Sequence, residues 1–545
     1  MENKNTFIAI VLMGVVWLGF TFLFPATQKT QVPGTQEAVV EQKSGPAAID
    51  NGIKVESAAN SGFSGSIPID KELVTDAEEQ SVSVDTDFYT AIFSTSGARL
   101  KSFELKKYRV TVDPDSAPVA LQVAGSPRDS TLWTSGSEHL QIPQNASFQL
   151  VSGQLENRLQ FGEQAQLVFR YQDANSGLIY DKVFKFNGDT YTFDLSVKVQ
   201  NGSDQVRTGT LVTSLVRAWD ESMKGSSYDF VGPATLVGED LDTNNVDDLD
   251  KEIKSYKNPT WSAFEDKYFI SAAIPLNGAA EKVVIHRQEN LIVNSFSSPY
   301  LNLVPGATEQ FDYTLYFGPR DFEIIKQAGH QLGKAIDLGF FAPISSPLRY
   351  VLHYFYGFTG NFGVAIILLT VIIKLLFWPL TQKSYSSMNR MKTLQPEMQA
   401  IREKYKKDRE RMNQEMMALY KEKRVNPVGG CLPMIVQIPV FFALYRVLMV
   451  DIALRHAPFA FWLTDLSVKD PYYITPLIMG ATMFIQQKMT PTTMDPTQAK
   501  MFMLMPVVFT FLFLNFPSGL VIYWLVNNLL TIAQQYMIHR KGATA

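Results

Sequence analysis

Apolar positions are spread unevenly along the 545 residues. Long apolar runs lie at the N-terminus and beyond about residue 340, while the middle of the chain alternates over short distances. The most apolar stretch, Asn361 to Leu380, reads NFGVAIILLTVIIKLLFWPL and holds one charge, Lys374. A helix places Thr370 and Lys374 on one face, a turn apart. Runs of roughly 20 apolar residues can cross hydrocarbon. By that measure membrane spans are predicted over 7–24, 352–380, 431–450, 471–489, 501–516 and 520–536. The first follows a short N-terminus, 1–6, and reads as an uncleaved anchor, because Phe24-Pro25-Ala26 makes a poor signal-peptidase site.

Residues 25–80 are rich in Gln, Ala, Gly, Pro, Ser and Thr with no sustained period, as in a flexible tether. From Ser81 the pattern changes to short alternating runs broken at Ser96-Gly97, Asn187-Gly188-Asp189 and Asn201-Gly202. An antiparallel β-sandwich over 81–320 is predicted. Within 321–350, Ile324, Ile325, Ala328, Leu332 and Ile336 recur at helical spacing. That predicts an amphipathic helix, lying either on the outer membrane surface or against the sandwich. Pro343 and Pro347 should end it.

Residues 381–427 carry twelve Lys or Arg against six acids, and the loop 451–470 carries only Arg455 and Lys469 as positives. The positive-inside rule therefore puts 381–427, the loop 490–500 and the C-terminus 537–545 in the cytoplasm and the β domain outside. Met388, Met391, Met398 and Ile401, then Met412, Met416 and Leu419, recur near helical spacing on either side of a charged bend at Lys406–Glu410. Two antiparallel helices fit. Their methionine seam either packs on itself or offers a soft surface to apolar chains, with Met391, Met398 and Met412 as capture candidates.

Composition narrows the chemistry. One cysteine, Cys431, excludes an intrachain disulfide framework. Six histidines show no metal-ligand spacing, and no Walker loop occurs, so no metal or cofactor is expected. A net charge of −4 argues against a bulk nucleic-acid binder, and no sequence-specific nucleic-acid partner is expected. Arg217, Trp219, Asp220, Trp261 and His286 can line a sandwich cleft, but the sequence sets no separation between any two acids, and scattered surface charges with core aromatics is the simpler reading. The spans carry Thr370, Lys374, Gln437, Arg446, Tyr523, Trp524, Asn527 and Asn528, too polar a set for a lipid-exposed surface. Arg446 lies near an outer end and can snorkel. Lys374 itself has three readings: snorkelling, pairing with a buried acid, or projecting charged into a wet groove.

QEMMALYKEKRVNPVGGCLPMIVQIPVFFALYRVLM, APFAFWLTDLSVKDPYYITPLIMGATMFIQQKM and FPSGLVIYWLVNN closely resemble the Oxa/Alb family of membrane insertases, in its Gram-negative form with a large periplasmic domain. The likeness covers essentially the whole chain. It implies a polytopic α-helical membrane protein of six transmembrane helices, five of them forming an insertase core, and an all-β supersandwich outside. It implies a hydrophilic groove open to cytoplasm and lipid, with Lys374 where the family usually has arginine, joined by Thr370, Gln437, Tyr523 and Trp524. Phe441 and Met505 would flank the lipid-side exit. Nascent membrane proteins, the Sec translocon and its accessory subunits, the ribosome, the signal recognition particle pathway and anionic lipids are the implied partners. Two rivals stay open on the residues alone. A secondary transporter would show inverted repeats, yet the basic segment has no counterpart after the fourth span. A membrane-anchored carbohydrate binder leaves the later spans unexplained.

Overall fold

A computed structural model of the chain describes residues 69, 79–225, 229–423, 425, 432–490 and 496–543. The expected first span, 7–24, and nearly all of the 25–80 tether lie outside those residues.

From Ser81 to Pro319 the described chain is β-rich, with a nine-stranded sheet, two five-stranded sheets and a two-stranded pair. Alternation builds the core. On Thr192–Asn201 the side chains of Phe193, Leu195, Val197 and Val199 turn inward, and their neighbours Asp194 and Gln200 face solvent. Antiparallel register sets Phe193 opposite Phe186 and Leu195 opposite Phe184. Phe93 from another sheet meets Phe184 at 4.7 Å between ring centroids, and Tyr89 stacks on Phe103 at 4.4 Å. Each such ring contributes roughly 1.5–3 kcal/mol by leaving water. Lys182 is also inward, opposite Val197 and fully buried. Its Nζ donates to the carbonyls of Leu132 (2.6 Å) and Gly97 (3.2 Å), which offset part of the desolvation cost. Of the cleft candidates, Trp219 and Trp261 are buried in the core and Asp220 is exposed, accepting from Ser222 N.

The end of the sandwich carries a buried charge pair. Glu265 is 3% exposed and 3.7 Å from Arg320, whose guanidinium also donates to the carbonyls of Asp266 and Ala335. The Glu265 carboxyl is pushed up to about 7, chiefly by burial and helped by Asp266 and Asp337, which together outweigh the opposing pull of Arg320. The folded state therefore holds a proton that the unfolded chain releases above its ordinary value of 4.5. Stability conferred by that proton is complete at low pH, falls as pH rises from about 4.5 to about 7, and is level above. The change is on the order of 3 kcal/mol. The thermal midpoint of the sandwich in the full chain, followed by tryptophan fluorescence, should fall across that window, and Glu265→Gln should flatten the slope. An unchanged slope in the variant would assign it to other groups.

Beyond the sandwich the expected amphipathic helix over 321–350 is not continuous. Helix α1, Phe322–Gln327, is capped by Asp321, whose carboxylate accepts from Glu323 N and Ile324 N. It ends where Gly329, His330 and Gln331 take positive φ of 73°, 50° and 58°. Helix α2, Ala342–Thr359, then starts at Ala342-Pro343 and carries Pro347 inside it, the two prolines expected to break the pattern. Pro343 sits in the first turn, where its missing N–H has no intrahelical partner to lose. The expected helix over 352–380 is likewise divided. Gly360 closes α2 in the left-handed region, φ 64°, and Asn361 caps α3, Phe362–Leu376, by accepting from Val364 N. A continuous apolar run hid a C-terminal glycine followed by an N-cap asparagine.

Helix α4, Trp378–Thr393, leaves α3 at 60°. Helices α5, Gln395–Lys404, and α6, Arg409–Glu422, follow, with Asp408 capping α6 through Arg411 N. The basic segment is thus three helices rather than two, since Pro396 starts a new helix after Leu394. Then come α7, Leu432–Val450; α8, Ile474–Met489; α9, Pro496–Phe513; and α10, Ser518–Ala543, which runs past the expected end at 536. Among the described residues no single helix is both long and apolar enough to cross a membrane, and the bent pair α3 and α4 meets that test together. Large apolar side chains are exposed on α3 (Leu375, Leu376), α8 (Leu477, Ile478, Ile485) and α9 (Leu504, Val508, Phe511). Apolar exposure on that scale needs a partner or a lipid environment.

Candidate functional site

A polar seam joins α3, α7 and α10. Lys374 projects from the last turn of α3, whose other neighbours are Leu, Ile and Val, and is 9% exposed. Its Nζ donates to Thr531 Oγ1 of α10 at 2.7 Å. Thr531 in turn donates to the Asn527 carbonyl one turn back, at 2.6 Å. Across the seam, Gln437 Nε2 of α7 donates to Asn527 Oδ1 at 3.1 Å. Among the described residues no carboxylate pairs with Lys374. The ammonium is therefore held by a neutral hydroxyl, with no carboxylate among the described residues to compensate its charge.

The sequence-expected groove residues divide into two groups. Lys374 and Gln437 join this seam. Thr370 is buried a turn below Lys374 but turns its hydroxyl to the Ile366 carbonyl at 2.6 Å, so it satisfies its own helix. Tyr523 is 1% exposed, and its hydroxyl lies beside the Gln437 amide, outside ordinary hydrogen-bond geometry. Trp524 is half-buried and packs edge-on to Phe441, with centroids 4.8 Å apart. Phe441 also stacks on Tyr523 at 6.3 Å. Phe441, expected at the exit wall, and Tyr523 and Trp524, expected in the groove, thus share one aromatic cluster. Met505 on α9 is half-buried.

The methionine candidates fare differently. Met391 and Met398 are 7% and 2% exposed and pack with Leu394, Leu419 and Val425 in the core of the basic segment itself. They cannot meet an incoming chain without that core opening. Met412 is half-buried and outside this cluster, and Met417 is exposed.

Two features were missed in the sequence. Thr531 was not singled out, although its i, i+4 spacing from Asn527 puts both on one face of α10. Asp451, at the far end of α7, is fully buried. It accepts from Arg349 Nε (3.1 Å) and His353 Nε2 (2.6 Å) of α2, and its other oxygen accepts from Ala453 N. This cluster ties α2 to the end of α7. Beside it Ile452 enters the sandwich core, and Arg455 donates to the carbonyls of Arg109 (2.6 Å) and Val110 (3.2 Å). Arg446, expected near an outer end, reaches the exposed Asp337 at 3.2 Å.

A β-rich domain joined to helices with exposed apolar faces around a buried lysine defines a membrane-associated protein with a large extramembranous domain. Residues 81–351 match the family described as the YidC periplasmic domain, and 354–544 match the 60Kd inner membrane protein family. The chain belongs to the YidC family of membrane protein insertases. It is 44% identical to the membrane protein insertase YidC of Citrifermentans bemidjiense, over 99% of this chain and all of that one. It is 42% identical to the protein of the same name from Geobacter metallireducens, over 100% of this chain and 99% of that one. A crystal structure of an active YidC insertase with its first transmembrane domain resolved shares 20% identity, covering 85% of this chain and 93% of that one, with a TM-score of 0.36. The chain is thus an insertase and chaperone of membrane-protein biogenesis, and the transporter and carbohydrate-binder readings of its function fall away.

Proposed function

We propose that insertion runs along the seam of Lys374 and Gln437 and the adjoining Tyr523 and Trp524, acting as a hydrophilic groove within six membrane spans, with both termini cytoplasmic. The observation that carries this reading is a buried lysine whose only partner among the described residues is a hydroxyl. A lysine at such depth is costly unless it serves a polar pathway. A substrate helix must carry its polar flank across hydrocarbon, and a wetted groove shortens that barrier. Lys374 attracts acidic residues in the short translocated flank. The apolar helix then moves into lipid past Phe441 and Met505, driven by burial. No nucleotide enters this step.

The basic segment receives chains from the cytoplasmic side, where its positive excess suits anionic headgroups and ribosomal RNA. Delivery by ribosome and signal recognition particle, and joint insertion with the Sec translocon, complete the proposal. The exposed Met417 and half-buried Met412 replace Met391 and Met398 as contact points. Photocrosslinkers at Phe441, Met505, Met412 and Met417 should capture stalled nascent membrane proteins, with Met398 as a buried negative control. Capture at Met398 equal to that at Phe441 would contradict this arrangement. Silence at Phe441 and Met505 would remove the exit route.

A further inference from the structure

We infer that Thr531 is a positioning residue for Lys374, aiming the ammonium so that it meets an acidic substrate flank; this rests on the groove reading above. The two residues stand 157 apart in the sequence and meet because α3 and α10 pack together. Thr531 is 4% exposed, and its hydroxyl proton is committed to the Asn527 carbonyl, so toward Lys374 it can only accept. That fixed polarity makes it a one-way partner for a cation. Lysine carries three N–H donors and no acceptor, and Thr531 takes one of them. The other donors stay available to a carboxylate.

A neutral acceptor suits this task better than an acid would. A buried aspartate at position 531 would neutralise the lysine and compete with every incoming carboxylate. With no acceptor at all, a long flexible side chain would be ordered only by apolar neighbours and could withdraw along α3 toward the nearby helix end. Thr531 holds the head group at depth without cancelling its charge. Its own orientation is set by α10, and Asn527 is bridged to α7 through Gln437, so the aim of Lys374 is registered against three helices. A substrate acid can then add to the ammonium without displacing an ion pair, which would cost more than displacing nothing.

The test uses the full chain in proteoliposomes and a single-span test protein whose short translocated tail carries none, one or two acidic residues. Thr531→Val keeps the branched shape and removes the acceptor; Thr531→Ser keeps the hydroxyl. Thr531→Val is expected to lower insertion of the two-acid tail about tenfold and of the neutral tail less than about twofold, a hydrogen bond to a charged group being large enough for that split. Thr531→Ser should restore the wild-type pattern. In a Lys374→Ala background Thr531→Val should add less than about twofold, because both act through one ammonium. An equal loss for every tail, no loss for any tail, or a full tenfold loss added on top of Lys374→Ala would each overturn the assignment. If Lys374→Ala shows the tail-dependent defect and Thr531→Val does not, this inference fails and the groove reading stands. If Lys374→Ala shows no tail dependence, both fall.

Discussion

Lys374→Glu is expected to reduce insertion of a protein with an acidic translocated tail by at least about hundredfold, while Lys374→Arg stays within about twofold of wild type. Two unit charges about 6 Å apart at an effective dielectric near 20 attract by about 3 kcal/mol, and reversing one sign turns this into a repulsion of similar size. About half of that difference, about 2.7 kcal/mol, is already a hundredfold effect. Arginine keeps the charge and can still donate to Thr531, although its planar fork has less freedom to adapt than an ammonium. The glutamate also leaves Thr531 facing a group that accepts only, so part of the defect should appear with neutral tails. Insertion rates in proteoliposomes, with protein amount and thermal midpoint matched, check this. Equal rates for Lys374→Glu and Lys374→Arg on an acidic tail would refute it.

The largest stability effect is expected at Asp451. Its carboxylate is fully buried and holds both Arg349, whose side chain is 14% exposed, and His353. Asp451→Ala leaves that guanidinium without its buried counter-charge, and breaking a buried pair from one side costs about 3–5 kcal/mol. Asp451→Asn retains one acceptor and should lose about half as much. The consequence is local first: α2 should loosen from α7, along with the neighbouring Ile452 and Arg455 contacts to the sandwich. Unfolding of the detergent-solubilised full chain, with hydrogen exchange of α2 amides, reads both. Loss of less than about 1 kcal/mol with α2 exchange unchanged would show that the cluster does not hold the two helices together.

The β domain could be read from sequence because alternation along a strand is a local signal: Phe193, Leu195, Val197 and Val199 announce their face without knowledge of any partner. The helical region was harder for three physical reasons. Apolar continuity from Leu352 to Leu380 outweighed a single Gly360-Asn361 pair, although that pair carries a C-terminal glycine and an N-cap. Helical spacing of Met391 and Met398 reports an apolar face but not what covers it, and here Leu419 from α6 does. Lys374 was conspicuous as a lone charge in an apolar run, whereas Thr531 is an ordinary residue whose meaning comes from a partner on another helix. Asp451 was invisible for the same reason: its burial is made by Arg349 and His353, about a hundred residues earlier.

The central claim is that Lys374, held by a hydroxyl and by no carboxylate among the described residues, captures acidic flanks electrostatically. Its most direct test is insertion of a short-tailed test protein, with tail charge stepped from neutral through one to two acids, by wild type and by Lys374→Ala. Removing an intramembrane charge lifts a desolvation cost, so the variant should fold normally. The account predicts a Lys374→Ala defect that grows with each added acid, from less than about twofold for the neutral tail to more than about tenfold for two acids. An identical defect at every tail charge, or none at any, with protein level and fold unchanged, would contradict it.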